Sequence, residues 1–379
     1  MIKGNVLYGQ SGGPTAVINS SALGLFLECF KHEEVEEIYA CHYGIEGLLK
    51  EDLIDVRKIS KYKLMQLKDK AGAYFGSCRY QIKDDKDYDR ILEIFKKYNI
   101  RYFFYNGGND SMDTCNKISK YMEKVGYECY VIGIPKTIDN DLMETDHTPG
   151  FGSALKYVVT SELELIDDIN SYEKGRVTII EVMGRNAGWL TAASVYAQNK
   201  TTMPHLIYVP ELPFDMDSFL NKVKEIYQKE KKVVVAVSEG IKDKDGKLIS
   251  EGNLDAFGHS QLGGVASYLC TVVEEKLNIK TRYIEISLLQ RCAAHLQSKV
   301  DVKEAMDFGK YALKFALEGK TDQMVGIKVL SNRPYRFKYI PIPLEKVANG
   351  VKEVDKKYLN EENGSIKPLY LTYINKFMD

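Results

Sequence analysis

Residues 130–141 read Tyr-Val-Ile-Gly-Ile-Pro-Lys-Thr-Ile-Asp-Asn-Asp. The apolar first half is typical of a buried β-strand, and Pro135 ends it because proline has no N–H to donate to a central ladder. The second half sets a lysine beside Asp139 and Asp141, which could share a Mg²⁺ ion, or one could accept a proton while the other holds the metal. A lysine beside such a pair suits a phosphoryl group in transit. A solvated polar loop is the alternative interpretation, and the rest of the chain decides between them.

The composition is that of a globular protein large enough for two domains. The chain has 379 residues, of which 44% are hydrophobic and 28% are charged, which is ample apolar content for two cores. A formal net charge of -1 excludes a global basic field of the kind that holds nucleic acid. The seven cysteines form no CxxC pair, as is typical of reduced thiols in a cytosolic protein. Since the chain also has no run of about 18 apolar residues, we expect a cytoplasmic protein that binds neither nucleic acid nor a membrane.

Short apolar runs alternate with longer amphipathic stretches along the chain. Helices are expected at 88–98, 153–169 and 218–231, and strands at 5–8, 101–105, 129–134, 177–183, 205–209, 233–238 and 283–288. This alternation predicts the α/β fold class, with parallel sheets and helices on both faces. Ligands of open α/β sheets bind beyond the carboxyl ends of the strands. Several of the predicted strands end in polar residues, so the segments that follow them are candidates for a site.

Two glycine-rich segments follow predicted strands. Gly12 and Gly13 come after the first strand, where the absence of side chains lets backbone N–H groups approach a phosphate. This segment lacks the Lys-Ser/Thr of a Walker A loop, and a plain tight turn is the alternative. Residues 106–111 read Asn-Gly-Gly-Asn-Asp-Ser and form the second segment. Arg79 could add a guanidinium to a phosphate chain, although it could equally be a surface residue.

A third polar segment, residues 183–189, reads Met-Gly-Arg-Asn-Ala-Gly-Trp. Gly184 would permit close backbone approach, and Arg185 could clamp a phosphate. The alternative is an ordinary strand-to-helix turn with the tryptophan in the core. Three more arginines lie near predicted strand ends and could grip a sugar phosphate or form surface ion pairs; they are Arg176, Arg282 and, closing the last run, Arg291.

In this order and at these intervals, the motifs resemble those of the phosphofructokinase family over roughly residues 4–345. The motifs that carry the resemblance are Gly12-Gly13, 107–111, 135–141, 183–185, Glu239 and Gln290-Arg291. The resemblance implies two Rossmann-like three-layer domains with the active site in the cleft between them. Residues 1–150 plus 290–345 would form the phosphate-donor domain. Residues 151–289 plus 346–379 would form the sugar-phosphate domain and the C-terminal tail.

The resemblance implies Mg²⁺-dependent transfer of a phosphoryl group to the 1-hydroxyl of fructose 6-phosphate. Asp139 matches the family's proton acceptor. Thr137 and Arg185 match residues that contact the phosphoryl group during transfer, and Lys136 is the fourth expected catalytic residue. The implied Mg²⁺ ligands are Asn109 and Asp141, and the implied donor-binding residues are Gly12, Gly13, Arg79, Asp110 and Ser111. The implied sugar-binding residues are Met183, Gly184, Glu239 and Arg291, together with Arg176 and Arg282 from a neighbouring subunit. A homodimer or homotetramer with a shared active site follows from this last pair.

Two positions are expected to determine which phosphoryl donor the protein uses. ATP-using members of the family typically carry glycine where this chain has Asp110 and Lys136, and pyrophosphate-using members resemble it at both. A carboxylate at Asp110 would oppose a nucleotide α-phosphate, since like charges in close contact are unfavourable. Lys136 supplies a cation that can neutralise charge on pyrophosphate in the transition state. We therefore expect pyrophosphate as the donor, in a reversible step of glycolysis and gluconeogenesis.

The chain departs from the family pattern at two places. Asn109 stands where most members have an aspartate that binds magnesium, although an amide oxygen can also bind Mg²⁺. Leu288-Leu289 replaces a histidine or tyrosine before the Gln-Arg pair, which leaves sedoheptulose 7-phosphate open as a second acceptor. The alternatives are an ATP-dependent phosphofructokinase, a catalytically silent sugar-phosphate-binding subunit, and a kinase of NAD or of a lipid head group.

Overall fold

Two parallel-rich β-sheets organise the computed structural model of the chain, which describes residues 2–82, 84–250, 264–348 and 350–379. The strands are β1 (Gly4–Gln10), β2 (Val35–Cys41), β3 (Leu53–Asp55), β4 (Ile100–Gly107), β5 (Tyr130–Pro135), β6 (Val177–Val182), β7 (His205–Tyr208), β8 (Val233–Ser238), β9 (Thr281–Glu285), β10 (Gln323–Asn332), β11 (Tyr335–Pro343), β12 (Leu359–Asn360) and β13 (Ser365–Ile366). The helices are α1 (Ile18–Cys29), α2 (Gly44–Leu49), α3 (Lys61–Met65), α4 (Asp85–Lys97), α5 (Asn109–Lys124), α6 (Phe151–Asn170), α7 (Trp189–Ala192), α8 (Val195–Lys200), α9 (Met216–Glu230), α10 (Val265–Leu277), α11 (Leu289–Cys292), α12 (Lys299–Leu317) and α13 (Tyr370–Ile374).

The larger sheet has the strand order β11-β10-β5-β4-β1-β2-β3. Its inner strands run parallel, and an antiparallel strand lies at each edge. Residues along β4 alternate between two cores, since successive side chains of a strand point to opposite faces. Tyr102 and Phe104 pack with α1 and α12, whereas Phe103 and Tyr105 pack with α4 and α5. The sheet is therefore covered on both faces, as parallel strands require.

The smaller sheet has the order β7-β8-β6-β9, and its strand pairs are all parallel. One face packs on α9 and α10. The other packs on α6 and α7 together with apolar residues of the C-terminal segment. In that segment the rings of Tyr370 and Tyr373 lie 6.1 and 5.4 Å from the ring of Trp189. The chain thus returns, at its C-terminus, to the core beneath the smaller sheet.

The carboxyl ends of three strands are level in the larger sheet. Gln10 of β1 pairs with Asn106 of β4, and Asn106 pairs in turn with Ile134 of β5. Both glycine-rich segments and the lysine–aspartate segment therefore begin at one edge of this sheet. In the smaller sheet, β6 and β8 also end level, because Val182 pairs with Ser238. The backbone register alone gathers the polar segments at two sheet edges.

The predicted α/β fold class is confirmed, and one predicted strand end is wrong. The predicted strands correspond to β1, β4, β5, β6, β7, β8 and β9, and the predicted helices to α4, α6 and α9. The last strand, predicted over 283–288, ends at Glu285, because Ser287 has a φ of 46° and α11 begins two residues later. Arg291 therefore lies on a short helix and not at a strand end. The predicted division into domains stays a prediction. None of the helices described is long and apolar enough to cross a membrane.

Helices α1 and α12 cross at two glycines. A Cβ on Gly24 would lie 1.9 Å from the backbone oxygen of Met306, and a Cβ on Gly309 would lie 2.0 Å from that of Ser21. This close approach matters to the site, because α1 follows the first glycine-rich segment and α12 follows the segment that carries Arg291. The crossing thus fixes two polar segments relative to each other.

We expect Gly24→Ala to lower the free energy of unfolding by about 2 kcal/mol, because the added methyl group must push the two helices apart. Urea unfolding at constant pH measures the effect. Glu275→Ala, at an exposed position of α10, is the control and should change the unfolding free energy by no more than about 0.5 kcal/mol. Equal unfolding midpoints for the two variants would contradict the close packing of α1 on α12.

Candidate active site

A cavity of about 440 Å³ lies at the edge where the polar segments meet. It is lined from the larger sheet by the segments after β1, β4 and β5, and from the smaller sheet by Met183 and Glu239. The predicted site residues in its wall are Gly12, Gly13, Arg79, Asn109, Asp110, Ser111, Lys136, Thr137, Asp139, Asp141, Met183, Glu239 and Arg291. Segments that are far apart in sequence therefore meet at one space between the two sheets.

Three cations surround the first glycine-rich segment. Lys136 donates a hydrogen bond from Nζ to the backbone oxygen of Gly13. A Cβ on Gly13 would lie 2.6 Å from Nη1 of Arg291 and 4.0 Å from Nη2 of Arg79, so both guanidinium groups lie close to the backbone of this segment. Gly12 has a φ of 74°, a conformation that glycine adopts without strain. The segment is therefore built for close approach of both backbone and positive charge.

This positive charge has no carboxylate partner at close range. Within the described ranges, Arg79, Lys136 and Arg291 make no ion pair within 4.0 Å. Burial lowers the pKa of Lys136 to about 8, and the neighbouring charges of Arg291 and Arg79 act in the same direction. Unpaired, partly desolvated cations of this kind are typical of a site that binds a multiply charged anion.

Asn109 and Asp141 provide oxygen ligands suited to a magnesium ion. Asn109 Nδ2 donates to Asp141 Oδ2 at 3.0 Å, which fixes the orientation of the amide. Its Oδ1 atom is buried and has no hydrogen-bond partner. A buried amide oxygen without a partner beside a carboxylate fits a hard cation, and Mg²⁺ usually completes its shell with water and substrate phosphates. The described residues contain no cluster of three His, Cys, Asp or Glu side chains that could hold a metal, which is consistent with such a shared shell.

Asp139 has the electrostatics of a base that works near neutral pH. Burial, together with the charges of Asp141 and Glu239, raises the pKa of its carboxyl from 3.8 to about 7, against the opposing effect of Lys136 and Arg291. The hydroxyl of Thr137 accepts a hydrogen bond from the Asp139 backbone N–H at 3.1 Å, which holds the turn. A pKa close to the working pH is the most effective value for proton transfer.

The smaller sheet contributes a second carboxylate. Glu239 Oε1 accepts a hydrogen bond from the backbone N–H of Gly184 at 3.2 Å, and burial raises the pKa of this carboxyl. Gly184 has a φ of 141°, and its neighbour Met183 donates its backbone N–H to the buried side chain of Gln290 at 3.2 Å. These bonds join the end of β6 to β8 and to α11, and thereby hold Met183 and Glu239 at the cavity.

Four predicted residues do not line the cavity. Gly184 lies behind Glu239, and the exposed Arg185 packs its backbone against Gly240. Arg176 precedes β6, and Arg282 pairs with Thr178 near the start of that strand. A strand rises by about 3.3 Å per residue, so the exposed Arg176 lies about 20 Å, and the exposed Arg282 about 13 Å, from the carboxyl end of β6. The expectation that they serve a neighbouring subunit stays a prediction.

The cavity wall also contains residues that the motifs did not single out. Thr15 is the clearest, since it lines the cavity in the turn that leads to α1 and its hydroxyl is buried without a hydrogen-bond partner. Its place four residues after Ser11, in the same polar segment, was the available signal. The other wall residues of this kind are Ser11, Pro14, Cys78, Tyr80, Gln81, Gly108, Thr114 and Ile138.

Comparison with known proteins identifies the family. The sequence profile described as Phosphofructokinase matches residues 5–316. The chain belongs to the phosphofructokinase family. It is 44% identical, over 97% of its length and 90% of the relative, to the pyrophosphate–fructose 6-phosphate 1-phosphotransferase of Halomonas elongata, and 43% identical, over 97% and 89%, to that of Xanthomonas campestris. The crystal structure of a pyrophosphate-dependent phosphofructokinase from Nitrosospira multiformis matches with a TM-score of 0.91 at 39% identity, over 100% of this chain and 92% of that one.

Membership of the phosphofructokinase family confirms the resemblance drawn from the motifs. The high structural similarity over the whole chain also confirms two Rossmann-like parts with parallel-rich sheets.

Asp139→Asn should alter the pH dependence of stability in the metal-free protein. The folded-state pKa of Asp139 lies above its ordinary value, so the folded state binds the proton more tightly and wild-type stability falls as the pH rises from about 4 to about 7. The variant lacks this group. We therefore expect its stability relative to wild type to increase by about 2 kcal/mol between pH 5 and pH 8.

Thermal or urea unfolding in EDTA at the two pH values measures this change. The matched control is Asp168→Asn, because Asp168 is exposed on α6, and it measures the effect of the same substitution outside the cavity. An equal stability difference for Asp139→Asn at both pH values would show that Asp139 does not titrate in the expected window.

Proposed function

We propose that this protein transfers a phosphoryl group from Mg²⁺-pyrophosphate to the 1-hydroxyl of fructose 6-phosphate, which yields fructose 1,6-bisphosphate and phosphate. The observation that carries the proposal is that one cavity contains two features. Cations without a close carboxylate partner surround Gly12 and Gly13, and the pKa of Asp139 lies at about 7. The first arrangement suits the phosphate groups of a highly charged donor and of a sugar phosphate, and the second suits an alcohol that must lose a proton. The names of the relatives from Halomonas elongata and Xanthomonas campestris describe the same reaction.

The donor would bind on the side of the larger sheet. Gly12 and Gly13 offer backbone contact, while Arg79 and Lys136 offer charge, and Ser111 lies in the first turn of α5. A helix N-terminus adds favourable potential for an anion. Asp110 lies in the same turn and lines the cavity, so it would disfavour the longer, negatively charged chain of ATP.

Mg²⁺ would be held by Asn109 Oδ1 and Asp141, the pair that the hydrogen bond between their side chains already orients. When bound, the ion supplies positive charge that neutralises the phosphate oxygens during transfer. Lys136 acts on the same oxygens from the other side of the glycine-rich segment. The protein's own contribution is thus to orient the donor and to balance its charge.

Asp139 would take the proton of the attacking hydroxyl. Its raised pKa allows it to accept this proton near pH 7 without binding it irreversibly. Thr137 lines the cavity beside it and is proposed to contact the phosphoryl group in flight. Arg185, whose side chain is exposed next to Gly184, is proposed to make a second such contact.

The sugar phosphate would bind on the side of the smaller sheet. Met183 and Glu239 would contact the sugar, with Gly184 holding Glu239 in place through its backbone N–H, and Arg291 would contact the 6-phosphate. Arg176 and Arg282 are exposed at the far end of the sheet, as expected of residues that reach the 6-phosphate in a neighbouring subunit. We therefore propose a cytoplasmic homo-oligomer, at least a dimer, that catalyses a reversible step of glycolysis and gluconeogenesis.

The test is the initial rate of fructose 1,6-bisphosphate formation with Mg²⁺ and fructose 6-phosphate, with pyrophosphate and ATP assayed in parallel. A rate with pyrophosphate and none with ATP is expected. A rate with ATP alone would keep the acceptor and the base but overturn the donor. No rate with either donor would overturn the reaction, and sedoheptulose 7-phosphate would then be assayed as acceptor because Leu288 is exposed where family members carry a polar group.

We expect Asp139→Ser to lower kcat by at least about 100-fold, because the hydroxyl proton then has no acceptor. Both substrates should still bind, since neither phosphate depends on this carboxylate. Steady-state kinetics and calorimetric titration of fructose 6-phosphate separate the two effects. Retention of most of the activity would exclude Asp139 as the base.

We expect Asp110→Gly to give measurable use of ATP, because it removes the carboxylate that repels a nucleotide α-phosphate. The ratio of kcat/KM for ATP to that for pyrophosphate is the readout and should increase at least about 10-fold, which corresponds to about 1.4 kcal/mol. Asp113→Gly, one turn further along α5 and not in the cavity wall, is the control for loss of helix stability. Equal ratios in the two variants would contradict the role of Asp110 in donor choice.

A further inference from the structure

A polar network lies behind the segment that carries Asp139. We call residues 137–147 the acid loop and residues 350–354 the C-terminal strap. Lys352 of the strap donates from Nζ to Asn140 Oδ1 at 3.3 Å and to the backbone oxygens of Thr145 and Asp146 at 2.9 and 2.8 Å. Its backbone N–H donates to the Asp141 backbone oxygen at 2.7 Å. One residue of the strap therefore bonds to four residues of the acid loop.

A second residue near the C-terminus reaches the same loop. Tyr373 of α13 accepts a hydrogen bond from Asn140 Nδ2 at 2.9 Å, and its hydroxyl donates to the Asp146 backbone oxygen at 2.7 Å. Together with Lys352, it satisfies both ends of the Asn140 side chain, which is fully buried. Such complete pairing holds a buried amide in one orientation.

Asn140 is the residue whose conformation aims the two carboxylates. It stands between Asp139 and Asp141 and has a φ of 55°, in the left-handed region that asparagine adopts more often than most side-chain-bearing residues do. A residue held there persists when the surrounding structure fixes it. Asp139 precedes Asn140 and Asp141 follows it, so the backbone angles of Asn140 set the directions of the two carboxylates relative to each other.

The strap also contacts the other side of the site. Trp189, which closes the segment that begins at Met183, donates from Nε1 to the backbone oxygen of Lys352 at 2.8 Å. Glu211 Oε1 accepts from the backbone N–H groups of Gly188 and Val354 at 2.8 and 2.9 Å. The strap is thus bonded both to the acid loop and to the segment that carries Met183 and Arg185.

We propose that Lys352 and Tyr373 are positioning residues for the phosphoryl transfer. They hold Asn140 in its left-handed conformation, which keeps Asp139 and Asp141 aimed at the cavity, and Lys352 ties this loop to the segment that ends at Trp189. Neither residue lines the cavity, so they act through Asn140 rather than on substrate. This assignment rests on the proposed function for its effect on turnover, although the restraint on the loop can be tested without any assay.

The first test compares two tyrosine variants in the full-length protein. Tyr373→Phe removes the hydroxyl that bonds the acid loop. Tyr370→Phe removes a buried hydroxyl of the same aromatic cluster, which bonds the Trp189 backbone oxygen at 2.8 Å and has no bond to the acid loop. Hydrogen–deuterium exchange of peptides from 137–147 should be faster in Tyr373→Phe and unchanged in Tyr370→Phe. Equal exchange in the two variants would overturn the proposal whatever the reaction is.

The second test uses steady-state kinetics with the donor that wild type accepts. Tyr373→Phe should lower kcat about 10-fold with both KM values within about 2-fold of wild type, because misplacement of the carboxylates affects the chemical step. Tyr370→Phe should keep kcat within about 2-fold of wild type. Its thermal stability should nevertheless fall about as much as that of Tyr373→Phe, because each variant loses one buried hydroxyl group. A loss of kcat that follows the loss of stability in both variants would overturn the positioning role.

A double-mutant cycle with Lys352→Met provides the last test, since methionine keeps much of the side-chain volume and removes the three bonds. If both residues act through Asn140, the loss of kcat in Lys352→Met with Tyr373→Phe should be clearly smaller than the product of the single losses. Lys352→Met with Tyr370→Phe should be multiplicative. Multiplicative effects in both pairs would overturn the shared action, whereas an inactive wild type would count against the proposed function alone.

Discussion

Charges of like sign are held together in one cavity, and most features of the site serve to keep them there. Arg79, Lys136 and Arg291 surround the first glycine-rich segment without a carboxylate partner at close range in the described chain, while Asp139 and Asp141 lie in one loop. The pKa of Lys136 falls and that of Asp139 rises because each charged form is poorly solvated. Direct ion pairs between these groups would stabilise their charged forms, but the paired charges would then not be available to act on a substrate. A site that is electrostatically prepared for reacting phosphates is therefore less stable in their absence.

The sheets provide the rigidity that such an arrangement needs. Residues at the ends of buried parallel strands are fixed by hydrogen bonds on both sides, and the level ends of β1, β4 and β5 set the three polar segments side by side. The contacts that cross between segments are specific: Gln290 bonds Met183, Glu239 bonds Gly184, and Lys352 bonds the acid loop. Apolar burial holds the sheets, whereas these few hydrogen bonds determine where each functional side chain points.

The sequence predicted the features that depend on neighbouring residues and missed those that depend on distant ones. Pro135 ends β5 because proline cannot donate to a ladder, and that effect is local. Arg291 was expected at a strand end but lies on α11, since the end of β9 is set by the left-handed Ser287 and by the bond from Met183 to Gln290, 107 residues apart in sequence. The C-terminal strap gave no sequence signal, because its lysine looks like any other surface lysine until the fold surrounds it with backbone oxygens.

Asn109 shows how a departure from the family pattern can be accommodated by the same electrostatics. An aspartate at this position would set a second carboxylate within about 3 Å of Asp141, and two such charges in a poorly solvated site raise each other's pKa. Burial raises the pKa of Asp141, and the amide donates a hydrogen bond that, with the backbone and the charges of Lys352 and Lys136, opposes this effect. The bond also turns Oδ1 away from Asp141, where it is buried and unpartnered. In the proposed magnesium site, a neutral but oriented oxygen would thus take the place of a charged ligand, and the negative charge around Asp139 would be lower than with an aspartate at this position.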